Sequence, residues 1–473
     1  MTNIFSDIAE AIVKTIRKIS VSVYFYLVML CFSFFVVIFD LQSEGTAVFI
    51  LILCLFLIVC EDITATTLPL LFLCVFDCMC YNSFDQFIKL WWLAIPAVIA
   101  LVFHFVWYRK KIITGESFTG LLAVTVAVTL GGLFFIPPSE YFSVWSLYYV
   151  FGLGAGMVMI YILIKSQIGD KNSEDMKTRF AIMLYLMGIL AAFCVIIQYL
   201  RIWDDFIENP VVISTLISRN NFASYMMFAL PCVFYFALKN PVHLLSAIVM
   251  YASLILTGSR GGMLFGTVEL FMCVVFFIVY ARKNVICNIA RGIIVIGLVI
   301  CAVTAIVNLD ELLEFCNPRY NDKITNEHDT RYVFLTHLKD NFLSNPIFGQ
   351  GLGYQGNQYI YESNKIKGTM CWYHMMIPQI IGSMGIVGIL CYGYQIVRRM
   401  FMIVKRMSAY VMAIGLSYIG IFMMSQVNPG EFCPLPYEFL VVFIFIIIEN
   451  EKERFTLSGI IEKHKEKQKS TNP

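Results

Sequence analysis

The sequence predicts an all-α integral membrane protein, a polytopic helical bundle of about 12–14 transmembrane helices with one large extracytoplasmic loop. Three observations carry that expectation. The chain is 59% hydrophobic and only 14% charged, against about 25% charged in soluble proteins. Apolar runs of roughly membrane length recur from Val21 to Ile448, and a helix needs about 20 such residues to cross a bilayer. Those runs do not alternate apolar with polar, which argues against barrel strands. A net charge of +2 gives no reason to expect a nucleic-acid partner. The first run is span-length and Phe39-Asp40 after it is no small-residue cleavage site, so no cleavable signal is expected.

Taken in order, residues 1–20 are a basic cytoplasmic lead with Lys14, Arg17 and Lys18. Predicted spans follow at 21–39, 46–60, 62–80, 89–108, 117–136, 145–165, 178–199, 221–238, 241–257, 262–281 and 289–307, forming an N-terminal bundle over 21–307. The loop 308–373 interrupts them. It holds eight acids and six bases, and it is the only sizeable polar surface in the chain. Spans 374–396, 406–426 and 434–448 make the C-terminal helices of 374–448, and 449–473 is a charged cytoplasmic tail.

Lys and Arg sort to the cytoplasmic side. With the N-terminus inside, 24 of the 34 fall there, every basic cluster lands on one side, and the loop faces out. Lys89, Arg201, Arg219 and Arg260 are the bases left in short outer connections, so each needs a reason.

Arg219 stands in Ser218-Arg219-Asn220-Asn221-Phe222-Ala223, ahead of a span. Ser218 and Asn220 are typical N-caps, but a cation at a helix N-terminus opposes the macrodipole unless an anion is present. Arg260 stands in Thr257-Gly258-Ser259-Arg260-Gly261-Gly262. The glycines allow close backbone approach, and the free N–H groups of the next helix suit phosphate. The plainer alternative is a tight turn whose arginine snorkels to the headgroups. In the loop, Asp329 or Thr330 starts a helix that Pro346 ends. Arg331, Leu335, Leu338 and Phe342 fall on one face of it, which turns Arg331 toward the membrane body. Phe348-Gly349-Gln350-Gly351-Leu352-Gly353 lacks the strand and helix of a dinucleotide site and reads as a flexible turn or lid. His374 follows the interfacial pair Trp372-Tyr373 and enters a span with a small-residue face at Gly382, Ser383, Gly385 and Gly388. An interfacial or capping histidine is the commoner case at such a place. His328 and His337 lack tight metal-ligand spacing, and no metal or other cofactor is expected. A Cys316–Cys371 bridge would close the loop, though spacing alone does not decide it.

Three outward arginines gathered with a histidine repel one another unless an anion sits among them, and the arginine fork suits phosphate oxygens. Histidine is suited to taking a proton from an attacking hydroxyl near neutral pH. Outside the cell there is no ATP, so a preformed lipid diphosphate is the sensible energy source.

These motifs resemble the bacterial O-antigen ligase and O-antigen polymerase superfamily. The likeness is carried by Ser218 to Ala223, Thr257 to Gly262, Arg331 ahead of Asn345-Pro346-Ile347-Phe348-Gly349-Gln350-Gly351-Leu352-Gly353, and His374 leading into Gly382-Ser383-Met384-Gly385-Ile386-Val387-Gly388. It covers about 215–395. The resemblance implies glycan transfer from a polyprenyl diphosphate carrier to a glycan or lipid-linked acceptor hydroxyl, at the outer face of the bacterial plasma membrane. It implies Arg260 and Arg331 on the diphosphate, Arg219 as a further anion contact and His374 as general base. Ser259, Gly261, Gly262, Asn220 and Asn221 support them. Where the family usually has Asn after the histidine, Met375 stands here, which leaves the role of a neighbouring amide in doubt.

Two other classes remain open. A lipid-linked oligosaccharide flippase would need cations at mid-depth in the bundle and no large outer loop. A glycosyltransferase with a carboxylate base would use Asp40, on a loop too short to build a site.

Overall fold

The computed structural model describes residues 2–77, 79, 89–131, 144–203, 218–307, 330–352, 373, 375–428 and 435–454. Among them there is no strand. In chain order the main helices are α1 (Thr2–Ser20), α2 (Val23–Ile38), α3 (Gln42–Val59), α4 (Ala94–Trp107), α5 (Ser117–Leu130), α6 (Met157–Ile168), α7 (Glu174–Arg201) and α8 (Arg219–Ala237). Then come α9 (Leu244–Leu256), α10 (Arg260–Tyr280), α11 (Val285–Val307), α12 (Thr330–Ser344), α13 (Met376–Lys405), α14 (Ala409–Ser425) and α15 (Leu435–Glu449). Helix coincides with each of the fourteen predicted spans, although 62–80 is broken into Thr64–Thr67 and Leu70–Asp77. Five helical stretches are long and apolar enough to cross a membrane unaided, and a bent α1–α2 pair makes a sixth. The protein is an all-α membrane protein.

The chain divides into two compact units. The first comprises residues 1–113, 166–295 and 419–424. Its centre is α7 against α8, where Phe180, Met183, Leu184, Met187, Phe222, Met227 and Phe228 are buried. Gly188 lies under Ala229 so closely that no side chain fits there, the small-residue approach that packs helices in lipid. Leu245, Ile248, Leu264, Phe271, Ile293 and others of α9 to α11 point outward, as a lipid-facing perimeter requires.

Two basic residues of this unit are accounted for locally. Arg179 is buried and pairs with Asp62 at 2.9 Å and with Asp175 at 2.9 Å. Arg201 donates to Asp40 Oδ1 at 2.7 Å and to the carbonyls of Val37 at 2.7 Å and Ile38 at 3.1 Å. It therefore caps the negative end of α2. That gives Arg201 its reason for standing in a short connection, and it engages the Asp40 carboxylate. His104, in α4, bonds the Leu57 carbonyl at 2.9 Å, a structural role.

The second unit comprises 114–165, 296–418 and 425–473. Glu449, at the end of α15, accepts from the Ser117 N–H at 2.9 Å and the Tyr161 hydroxyl at 2.7 Å, with Lys165 at 3.5 Å. The start of the tail is thus held by the protein: Glu453 pairs with Lys405, and the Arg454 N–H donates to the Lys405 carbonyl at 2.9 Å. Arg399 is buried, paired with Glu438 at 2.6 Å and flanked by the rings of Tyr418 and Phe445 at 5.4 and 5.2 Å. The pair compensates two charges that neither could carry alone at that depth.

Candidate functional site

In the first unit the helix starts that bear two of the predicted anion-binding residues, Arg219 and Arg260, are joined. Arg219 and Arg260 are the first residues of α8 and α10. Both are exposed, and neither makes an ion pair or side-chain hydrogen bond with another described residue. The two helix starts are tied directly, since the Ser259 hydroxyl donates to Asn220 Oδ1 at 2.7 Å and accepts from the Gly262 N–H at 3.1 Å. Gly262 is required there, because a Cβ would lie 2.6 Å from that of Ala223. Gly258 has φ +64°, a turn that only glycine makes without strain. So the starts of α8 and α10, each bearing an exposed arginine, are held together.

The capping expected of Ser218 and Asn220 is not seen in α8, whereas Ser259, of which none was expected, caps α10. Ser218 stands at the N-cap of α8 with φ +52° and makes no cap bond, while its carbonyl accepts from Asn221 N at 2.8 Å. Asn220 spends its side-chain oxygen on Ser259 instead of on its own helix. Its partner lies far along the chain, so only the fold reveals that role.

The second unit carries Arg331 and His374. Arg331 is in the first turn of α12, its side chain outside the described residues, and His374 lies outside them altogether. The Cys316–Cys371 pairing lies outside them too. On the face proposed for α12, Leu338 and Phe342 are half-buried and Leu335 is 46% exposed, and Asn341 beside it is buried. Burial follows Asn341 because its amide has a partner. It donates to the Tyr373 hydroxyl at 2.5 Å.

Tyr373, immediately before His374, is fully buried. Its N–H donates to Gln379 Oε1 at 2.9 Å, and Gln379 Nε2 donates to Ser383 Oγ at 2.7 Å. Its ring lies over Gly382, where a Cβ would be 2.6 Å from the phenol oxygen. Asn341 therefore ties the helix that bears Arg331 to the residue that precedes His374.

Just beyond, α13 breaks at Gly385 (φ +57°, ψ −147°), and the freed backbone groups find partners on the 346–351 segment. The carbonyls of Pro346 and Ile347 accept from Ile386 and Val387 at 2.9 and 3.1 Å. The N–H groups of Gln350 and Gly351 donate to Gly382 and Ser383 at 2.9 and 3.1 Å. Gly131 backs the joint, 2.7 Å from Met384 Cα and 2.8 Å from the Phe348 carbonyl as a Cβ would sit. The predicted flexible turn or lid is thus a wedge seated in a broken helix. Irregular backbone at membrane depth is tolerated when it is satisfied in this way.

Among the described residues no three His, Cys, Asp or Glu side chains are grouped to hold a metal. A shallow pocket lined by Ser117, Gly120, Gln395, Arg399 and Phe445 lies elsewhere in the second unit, and no predicted site residue lines it.

Residues 245–393 match the family model described as O-antigen ligase. That stretch includes Arg260, Arg331, His374 and the wedge, and stops short of Arg219. It supports a place in the O-antigen ligase and polymerase superfamily, enzymes of the glycosyltransferase type that work on lipid-linked glycans in a membrane. No curated protein matches the chain.

Proposed function

Starting from an O-antigen ligase region at residues 245–393, we propose that this chain transfers a glycan from a polyprenyl diphosphate carrier to an acceptor hydroxyl. The reaction would occur at the outer face of the bacterial plasma membrane, in O-antigen, capsular or exopolysaccharide assembly. The observation that carries this reading is the joined pair of helix starts. Arg219 and Arg260, both without a carboxylate partner among the described residues, stand where helix N–H groups already favour an anion.

In the proposed reaction the acceptor hydroxyl attacks the anomeric carbon of the donor sugar. His374 takes the hydroxyl proton as the new glycosidic bond forms. The bond from that carbon to the phosphate oxygen breaks, and the diphosphate leaves with the electron pair. Arg260 and Arg331 hold its oxygens by paired hydrogen bonds, and Arg219 adds a third cation. Ser259, Asn220, Asn221, Gly261 and Gly262 keep the two arginine-bearing helix starts in register. The leaving group is already activated, so no metal or nucleotide is invoked.

The test is transfer from purified lipid-linked donor in detergent with EDTA present. His374→Ala should keep expression and donor affinity, yet lose about 10²–10⁴-fold in rate, the usual contribution of a general base. Full activity of that variant would remove the base assignment. No transfer by the parent protein with glycan or lipid-linked acceptors, together with donor movement across vesicles, would favour a flippase.

A further inference from the structure

Helix α1 carries a surface that the proposed reaction does not use. Ile8, Ile12 and Ile19 share one face, exposed by 51, 54 and 47%. Asp7, Glu10, Lys14, Arg17 and Lys18 fall on the opposite face by helical spacing, the two-sided pattern of an interfacial helix.

The C-terminal half of α1 is fixed to the first unit. Ile16 packs on a core of Leu53, Phe56, Cys60 and Ala65. Arg17 Nε donates to the Val59 carbonyl at 2.8 Å and Nη2 to the Tyr108 hydroxyl at 3.4 Å. Val59 is the last residue of α3, so Arg17 caps the end of a helix long and apolar enough to span. That contact sets α1 at the level where α3 leaves the membrane. The axis then turns by 73° between Glu10–Ser20 and Val23–Ile38. If α2 crosses the bilayer, α1 lies close to its plane.

We propose that α1 is an in-plane anchor, with Ile8, Ile12 and Ile19 inserted at the headgroup–acyl boundary of the adjoining leaflet and Lys14 and Lys18 engaging anionic headgroups. The occupant of the apolar face is lipid. The face is at the level where α3 ends, Thr15 is the one polar residue in its row, and no described residue covers Ile8 or Ile12. Charge complementarity selects anionic lipid, because Arg17 is committed to protein while Lys14 and Lys18 stay exposed. Basic residues so placed are attracted to an anionic leaflet.

The full-length protein in nanodiscs tests this, with single spin-labelled cysteines at Ile8, Ile12, Ile19 and Lys14 in a background lacking native cysteines. Labels at the three isoleucines should collide with oxygen and be shielded from an aqueous nickel chelate, and the label at Lys14 should show the reverse. Replacing phosphatidylcholine by phosphatidylglycerol should draw the Ile12 label deeper, an effect lost when Lys14→Gln and Lys18→Gln are combined. An Ile12 label as open to nickel as that at Lys14 would overturn the proposal. So would shielding from both probes, which would put a second copy or another protein on that face, or a depth indifferent to phosphatidylglycerol. Should the cysteine-free background fail to fold, a photo-crosslinker at position 12 of the otherwise native chain replaces it. A lipid adduct is expected there, and a protein adduct overturns the assignment.

Discussion

Arginine rather than lysine at positions 260 and 331 matters if the ligand is a diphosphate. A guanidinium presents a planar fork to two oxygens, whereas an ammonium offers a point charge. Losing one charge-assisted contact should cost about 1.5–3 kcal/mol, or about tenfold to a hundredfold in donor affinity. Arg260→Ala and Arg331→Ala should therefore weaken binding of the polyprenyl diphosphate by that factor, and lysine should restore it poorly. Equal donor affinity in titrations of the parent and either alanine variant would sink the clamp. Arg260 was legible in the sequence because it stands out against the sorting of charge, and Arg331 by its place on the helix of the loop. The Asn220–Ser259 bond was not, since local chemistry offers both residues a cap and only the packing of α8 on α10 makes the alternative available.

At the scale of elements, the decisive feature is the join between the 346–351 segment and the broken α13. The glycines of that span could be read from the sequence as a packing face. Their actual use, a positive φ at Gly385 filled by the Pro346 carbonyl, depends on a segment about forty residues earlier. Hydrogen bonds between remote irregular segments leave no periodicity to read, which is why the segment looked like a lid. The helix over Thr330–Ser344 was legible from its start residues and from Pro346. The burial of Asn341 was not, because its partner Tyr373 lies 32 residues further along the chain. Gly385→Ala should destabilise the protein by about 1–3 kcal/mol, the cost of a strained backbone position, and disturb the chain leading from Tyr373. Gly393, in the same helix with open space around it, is the control. Gly393→Ala should stabilise by about 0.5–1 kcal/mol through helix propensity alone. Thermal unfolding in detergent reads both, and equal destabilisation by the two would discard the wedge account.

For the molecule as a whole, acid should weaken the second unit at Glu116. A hydrogen bond from Arg406, foremost, holds the Glu116 carboxyl below its ordinary range, against the opposing effect of burial. A carboxyl whose pKa is lowered by folding contributes stability that is present above its unfolded value and lost as pH falls through the folded one. The second unit should therefore weaken below about pH 4, and Glu116→Gln should flatten that dependence while lowering stability at neutral pH. A pH–stability profile in detergent unchanged by Glu116→Gln would remove this contribution.

Sidedness is the property on which the proposed chemistry depends most, because a lipid-diphosphate donor without ATP makes sense only outside the cell. The sorting of Lys and Arg is its basis, and the structure removes one objection to it. Arg201, an apparent violation, is spent on the end of α2 and on Asp40. Arg219 and Arg260 remain, with Lys89, as bases of the short outer connections without a partner among the described residues, and an anionic substrate is the reason proposed for the two arginines. Single cysteines at Lys323 and Lys365, in a background lacking native cysteines, should react with a membrane-impermeant thiol reagent in intact cells. Cysteines at Lys171 and Lys452 should react only after the cells are opened. The opposite pattern would put the loop of 308–373 in the cytoplasm, where nucleotide sugars and ATP are at hand. The argument for a preformed diphosphate bond would then lose its premise, whatever the arginine variants do.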